Sequence, residues 1–212
     1  MSAFARVQST YITGVRRLAA TAMAGLGRSR ISPDALTAAG VGLSILGAVV
    51  VWFEYRGWAW FWVGAALFVV GAILDILDGA LARSRGVGSP FGAFIDSTVD
   101  RVGEAFMVGS IALVLMRWDY EWGVAFAFAA LAGSFLVSYT RARAEALGLK
   151  GDVGFGSRAE RVVVITAGLV LAPIDEVILP ITMVVLATTA WITVLQRILS
   201  VRKQLRDRER LG

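Results

Sequence analysis

Residues 68–100 read FVVGAILDILDGALARSRGVGSPFGAFIDSTVD, and the reading of this stretch decides the fold. It opens as an apolar helix of bilayer type, yet it carries Asp75 and Asp78 near its end. A turn-forming segment with Gly86, Gly88 and Pro90 follows, and a second apolar segment then begins with Asp96 and Asp100. Carboxylates at membrane depth cost about 2.5–3.5 kcal/mol each on insertion, so they turn inward and take a partner. Asp75 and Asp78 stand at i and i+3, Asp96 and Asp100 at i and i+4, so each pair projects from one face of its helix. The short turn predicts that the two helices fold back antiparallel and bring both pairs together near one membrane surface. An all-oxygen cluster of this kind suits Mg²⁺ or Mn²⁺, hard cations that take carboxylate ligands and leave positions for phosphate; two ions relieve the repulsion best.

The residues beside the acids are small. Gly79 and Ala82 follow Asp78 by one and four positions, and Gly92 precedes Asp96 by one turn. Such a surface allows either close helix packing or the approach of a flat base or pyrophosphate.

Composition agrees with a bilayer. Of 212 residues 57% are hydrophobic and 17% charged, too apolar for an ordinary soluble domain. Histidine and cysteine are absent, which excludes disulfides, thiolate nucleophiles, imidazole bases and the usual zinc sites. The formal charge of +5 points to anionic headgroups or anionic substrates rather than nucleic acid, because of where the charges stand. Six spans are predicted, at 35–53, 59–83, 91–116, 122–146, 160–174 and 177–199. The fifth is short and runs into Pro173, Asp175, Glu176 and Pro180, which predicts a tight turn to the sixth. With both termini cytoplasmic, every Lys and Arg except Arg56 and Arg117 falls on the inner side. Trp52, Trp58, Trp60, Trp118 and Trp122 flank the outer ends as an aromatic belt. The expectation is an all-α, multi-pass protein of the cell membrane with its acids facing the cytoplasm.

Residues 1–30 form the first predicted unit. Phe4, Val7, Tyr11, Val15, Leu18 and Ala22 recur at helical spacing among Arg6, Arg16, Arg17, Arg28 and Arg30, which predicts an amphipathic helix in the membrane interface rather than a cleavable signal. Residues 31–201 form the predicted six-helix catalytic unit. Residues 202–212 are read as a basic, solvated cytoplasmic tail with no catalytic part.

The run Asp75-Ile-Leu-Asp78-Gly79-Ala-Leu-Ala82-Arg83, with Gly92, Asp96 and Asp100 at their fixed distances, resembles the full signature of the CDP-alcohol phosphotransferase family. The resemblance implies a six-span fold, a homodimer, a CDP-linked lipid donor and a two-metal site made by Asp75, Asp78, Asp96 and Asp100. It implies Asp100 as the base that deprotonates the acceptor hydroxyl. In-line displacement at phosphorus needs charge neutralisation and an activated hydroxyl, which such a site supplies. Pro33-Asp34-Ala-Leu-Thr37 resembles the family segment that contacts the cytidine nucleotide, and Ser32-Pro33-Asp34 is at the same time a helix N-cap with proline. The CDP-binding set is then Pro33, Asp34, Thr37, Asp75, Gly79, Ala82 and Arg83. Arg83 suits either a carboxylate or the donor pyrophosphate, and Arg85 suits an anchor at the headgroups equally well.

Ser138-Tyr-Thr-Arg141-Ala-Arg143-Ala-Glu145, Arg158-Ala-Glu160-Arg161 and Gln196-Arg197 resemble segments of prokaryotic phosphatidylinositol-phosphate synthases. That resemblance implies CDP-diacylglycerol as donor, inositol phosphate as acceptor, and Arg141, Arg161 and Arg197 as ligands of the acceptor phosphate. Guanidinium groups bind phosphate oxygens bidentately and keep their charge, so three of them fit a phosphomonoester. Glycerol 3-phosphate or another polar alcohol is the alternative acceptor. A divalent-cation carrier is the reading from another class, since intramembrane acids also mark transport paths; it predicts access from both faces, whereas these acids gather toward one.

Overall fold

The computed structural model describes residues 32–154 and 157–210, so the predicted interfacial helix of residues 1–30 lies outside the described residues. Six α-helices follow one another: α1 Pro33–Val51, α2 Ala59–Ser84, α3 Pro90–Arg117, α4 Glu121–Ala146, α5 Arg158–Leu171 and α6 Ile178–Glu209, with a 3-10 turn at Glu54–Arg56. There is no strand among the described residues.

Helix starts follow from local chemistry. The Ser32 hydroxyl accepts from the Ala35 amide at 3.2 Å with Pro33 in the first turn, and Ser89 accepts from Gly92 at 2.9 Å ahead of Pro90. Ser157 and Glu160 cap α5 reciprocally. A side-chain acceptor supplies the bond that a first-turn amide lacks, and proline there gives up no needed donor. Connections reverse the chain each time, so α1, α3 and α5 start at the same end of the bundle, where α2, α4 and α6 finish.

Among the described residues, four helices are long and apolar enough to cross a membrane: α1, α2, α4 and α6. Their outward faces carry large apolar side chains, among them Val70, Ile73, Phe128, Leu195 and Ile198, all exposed. A surface of that kind is stable only against lipid or another apolar partner, and the chain is a multi-pass membrane protein. The 28 residues of α3 reach about 42 Å and include the acids. By contrast the 14 residues of α5 rise only about 21 Å, and the chain turns at Pro173 into α6.

The core lies between the helices toward the end opposite the acids, built from Phe61, Met107, Ile111, Leu115, Leu169 and Met183. There Arg117 closes on the buried Glu54, its Nη1 within 2.6 Å of Oε1 and 2.5 Å of Oε2. The guanidinium also lies over the Trp52 and Tyr55 rings, 4.4 and 4.9 Å from their centroids. Trp58, Phe61 and Trp118 pack ring on ring beside it.

Glycine brings α1 onto α2. A Cβ on Gly40 would stand 2.9 Å from the Gly71 carbonyl oxygen, and one on Gly47 2.8 Å from that of Gly64, so only glycine permits this approach. α2 and α3 run antiparallel, as expected, and bring Asp75, Asp78 and Asp96 together, yet they make few backbone contacts along their length. Instead α1 packs against both, and α2 lies against α5. The two aspartate-bearing helices meet at the acids and again at the opposite end, where Phe61 packs on Trp118, and a narrow cleft lined by Phe68, Asp75, Asp100 and Glu104 lies between.

Candidate active site

Asp75 and Asp78 leave α2 one turn apart, and Asp96 enters from the first turns of α3. One carboxylate oxygen from each of the three lies within 4.8 Å of the others. Thr37, brought in by the close packing of α1, donates its hydroxyl to Asp78 Oδ2. Thr37 therefore acts on the acidic group directly, holding the orientation of one carboxylate. Arg83 folds back over Gly79, with its Nη1 3.3 Å from where a Cβ would stand. Its charge acts on both Asp78 and Asp96. Pro33 occupies the first turn of α1 and Asp34 is exposed beside it, while Ala82 is half-buried on the same face of α2 as Asp78.

Asp100 stands apart from the tight group of three. Arg158, the first residue of α5, donates Nη1 to Asp75 Oδ2 and comes within 2.7 Å of Asp100 Oδ1. That second approach lacks hydrogen-bond alignment, since Asp100 Oδ1 is buried without a hydrogen-bond partner, as is Asp96 Oδ1. Buried oxygens without a donor are costly and mark a place for a cation or a polar ligand. The acids thus meet the requirements of a divalent cation: hard oxygen donors, gathered from two helices, with acceptor capacity unspent.

The arginines come from three helices. Arg141 on α4 is exposed and paired with Glu145 one turn on, at 2.9 Å. Arg161 on α5 is buried, and both oxygens of Glu104 receive it, from Nε at 2.7 Å and Nη2 at 2.8 Å. Arg197 on α6 is buried and donates to the Val153 carbonyl at 2.9 Å and to that of Val137. Charges acting on Arg197 include Arg141 and Arg161, so the three fall within electrostatic reach of one another. Arg161 also acts on Arg158, which extends the cationic strip to the aspartates.

Sequence spacing singles out neither Arg158 as the partner of Asp75 nor Glu104 as the partner of Arg161. Glu104 continues the row Asp96, Asp100 by one more turn, a signal of position on the face; what it meets is a matter of how α5 packs. The C-terminal part of α6 also does more than extend into solvent. Gln204 accepts from the Lys150 amide and donates to the Lys150 carbonyl, both at 2.9 Å. Arg208 reaches the carbonyls of Leu147 and Gly148 at the end of α4.

Comparison with known proteins agrees with this arrangement. Residues 30–199 match the family model described as CDP-alcohol phosphatidyltransferase. The archaetidylinositol phosphate synthase of Pyrococcus horikoshii is 36% identical over 178 residues, covering 82% of this chain and 86% of that protein. The phosphatidylinositol phosphate synthase of Mycolicibacterium smegmatis is 35% identical over 184 residues, covering 82% and 79%. Among solved structures, the Mycobacterium tuberculosis phosphatidylinositol phosphate synthase with CDP-DAG bound superposes with a TM-score of 0.76 at 31% identity, covering 87% of this chain and 94% of that one. The same mycobacterial protein has also been solved in complex with manganese and citrate. The aspartate signature, the helical frame and these matches over most of the chain establish that the protein belongs to the CDP-alcohol phosphatidyltransferase family.

Proposed function

We propose that the protein transfers a phosphatidyl group from CDP-diacylglycerol to a hydroxyl of inositol phosphate, giving phosphatidylinositol phosphate and CMP. The observation that carries this reading is the joining of the aspartate cluster to a strip of arginines, Arg158, Arg161 and Arg197, along α5 and α6. A neutral alcohol has no use for buried guanidinium groups, whereas a phosphomonoester needs them.

In this reading the acceptor oxygen attacks the phosphorus that bears diacylglycerol. The bond from that phosphorus to the bridging oxygen breaks, CMP leaves with the oxygen, and the hydroxyl proton passes to Asp100. Asp75, Asp78, Asp96 and Asp100 hold two divalent ions, Mg²⁺ or Mn²⁺, whose chemistry when bound is to neutralise the transferred phosphate and lower the cost of the alkoxide. Thr37 keeps Asp78 oriented. Pro33, Asp34, Gly79, Ala82 and Arg83 line the place of the cytidine diphosphate, the small residues admitting it and Arg83 offering charge. Arg141, Arg161 and Arg197 receive the acceptor phosphate.

All six helices, α3 and α5 included, cross the cytoplasmic membrane within a catalytic unit of residues 31–201. The aspartate end faces the cytoplasm, a reading that the distribution of Lys and Arg supports, and the protein works as a homodimer among membrane lipids.

The test is CMP release by purified protein with Mg²⁺ or Mn²⁺ from CDP-diacylglycerol, and from its ether-lipid counterpart, against inositol 1-phosphate, inositol and glycerol 3-phosphate. Release is expected with inositol 1-phosphate and not with inositol. Release with glycerol 3-phosphate alone would keep the chemistry and overturn the acceptor, while metal uptake by sealed vesicles with no lipid donor would revive the carrier.

A further inference from the structure

Glu104 sits one turn deeper along α3 than Asp100 and is 7% exposed, with Arg161 at 6%. Its two oxygens take the Nε and Nη2 donors of Arg161 at 2.7 and 2.8 Å, the bidentate geometry that fixes the plane of a guanidinium. The backbones of α3 and α5 make no extensive contact with each other, so this pair bridges the floor of the cleft by side chains alone. Above it, Arg158 at the start of α5 meets Asp100 on the same row of α3 and Asp75 on α2. Glu104 also lines the small pocket below the acids with Phe68, Asp75, Asp100 and Arg158. The metal signature does not include it, and Asp100 lies between it and the group of three acids.

We propose that Glu104 is a specificity-determining, positioning residue: through its bidentate hold on Arg161 it fixes how that guanidinium is presented to the phosphate of the acceptor alcohol. The inference rests on the reading that Arg161 binds that phosphate. Two physical needs meet in one carboxylate. Arg161 lies within electrostatic reach of Arg158 and Arg197, and a buried cluster of like charges is tolerable only where an anion compensates it. A long arginine also swings between rotamers unless its head is held, and a phosphate is read well only by donors already aimed at it. Glu104 supplies the compensation from the floor of the cleft and leaves the mouth to the substrate.

Steady-state kinetics on Glu104→Gln, Glu104→Asp, Arg161→Lys and the double variant Glu104→Gln/Arg161→Lys test this, with melting temperature in detergent read alongside. Glutamine keeps one acceptor but turns an amide donor against the guanidinium. The KM for inositol 1-phosphate is expected to rise about tenfold or more, the scale of one charge-assisted hydrogen bond, with the KM for the CDP-lipid unchanged. Glu104→Asp keeps the charge on a shorter arm and recovers part of the loss; it also serves as the informative variant should Glu104→Gln fail to fold. The double variant is expected to be no worse than Arg161→Lys alone, since both act through one group. A raised acceptor KM for Arg161→Lys with none for the Glu104 variants would overturn the positioning role and leave the phosphate reading standing. No change for Arg161→Lys would overturn the phosphate reading itself. Additive losses that track a falling melting temperature and strike both substrates alike would make Glu104 a structural staple and overturn the proposal.

Discussion

At the aromatic end of the bundle, buried Glu54 has both oxygens on Arg117, and the guanidinium lies between the Trp52 and Tyr55 rings. At the other end, Asp75, Asp78 and Asp96 crowd together, and Asp96 and Asp100 each keep a buried oxygen with no hydrogen bond. Both ends bury carboxylates; only one satisfies them within the chain. The satisfied pair ties the turn after α1 to the end of α3 and so holds the hydrophobic core closed. The crowded acids carry a standing electrostatic cost and form a place suited to a divalent cation. For these carboxylates, the fully paired Glu54 belongs to the scaffold, and those left short of partners form the candidate metal cluster.

Removing one carboxyl charge at each end breaks the comparison if it is wrong. Asp96→Asn and Asp100→Asn are expected to cut CMP release by about a thousandfold or more, the range for losing a general base or a metal-held phosphate. Their melting temperature in chelator is expected not to fall, because neutralising one acid relieves repulsion. The stabilisation that Mn²⁺ gives the native protein should shrink in the same variants. A large loss of stability in chelator, with activity kept, would make the aspartates scaffold after all.

Glu54→Gln should behave in the opposite sense. It leaves Arg117 without its anion and is expected to destabilise the bundle by about 3 kcal/mol, read as a lower melting temperature in detergent. Turnover of the protein that remains folded should stay within about twofold of native, since nothing in this cluster reaches the acids. A selective loss of turnover at unchanged melting temperature would contradict the division between the two ends.

The sequence makes these two ends legible to different degrees. Periodicity and apolar length place all six helices of the described residues, with ends near those observed except that α6 runs on past 199 to Glu209, and the Ser32-Pro33 cap marks where α1 begins. Along one helix, spacing fixes which acids share a face, so Asp75 with Asp78 and Asp96 with Asp100 can be read directly. Pairings between helices cannot be read so, because they depend on how segments distant in the chain come to pack. That is why nothing in the sequence marks Arg158 as the partner of Asp75, or Glu104 as the holder of Arg161. The wedge of α1 between α2 and α3 has the same origin. Gly40, Gly47, Gly64 and Gly71 are visible as small residues, but their pairing with one another is not.

The smallest effect is expected where a region read as a free tail proves to be attached. α6 continues unbroken to Glu209, and the side-chain amide of Gln204 both donates to and accepts from the backbone of Lys150. Lys150 lies in the connection between α4 and α5, and Arg197, earlier along α6, bonds Val153 in the same connection. Gln204 thus ties down the outer part of a loop whose inner part is already held by a buried arginine. Gln204→Ala removes the two neutral, exposed hydrogen bonds to Lys150 and a third to Ser200 Oγ, each worth about 1 kcal/mol or less net because water takes their place. The melting temperature should therefore move little. Hydrogen exchange at Lys150 and its neighbours should speed up several-fold, and the KM for the acceptor should rise about twofold while that for the lipid donor holds. Unchanged exchange in this loop would mean that Arg197 alone sets its position and that the last turns of α6 contribute nothing to the aspartate end.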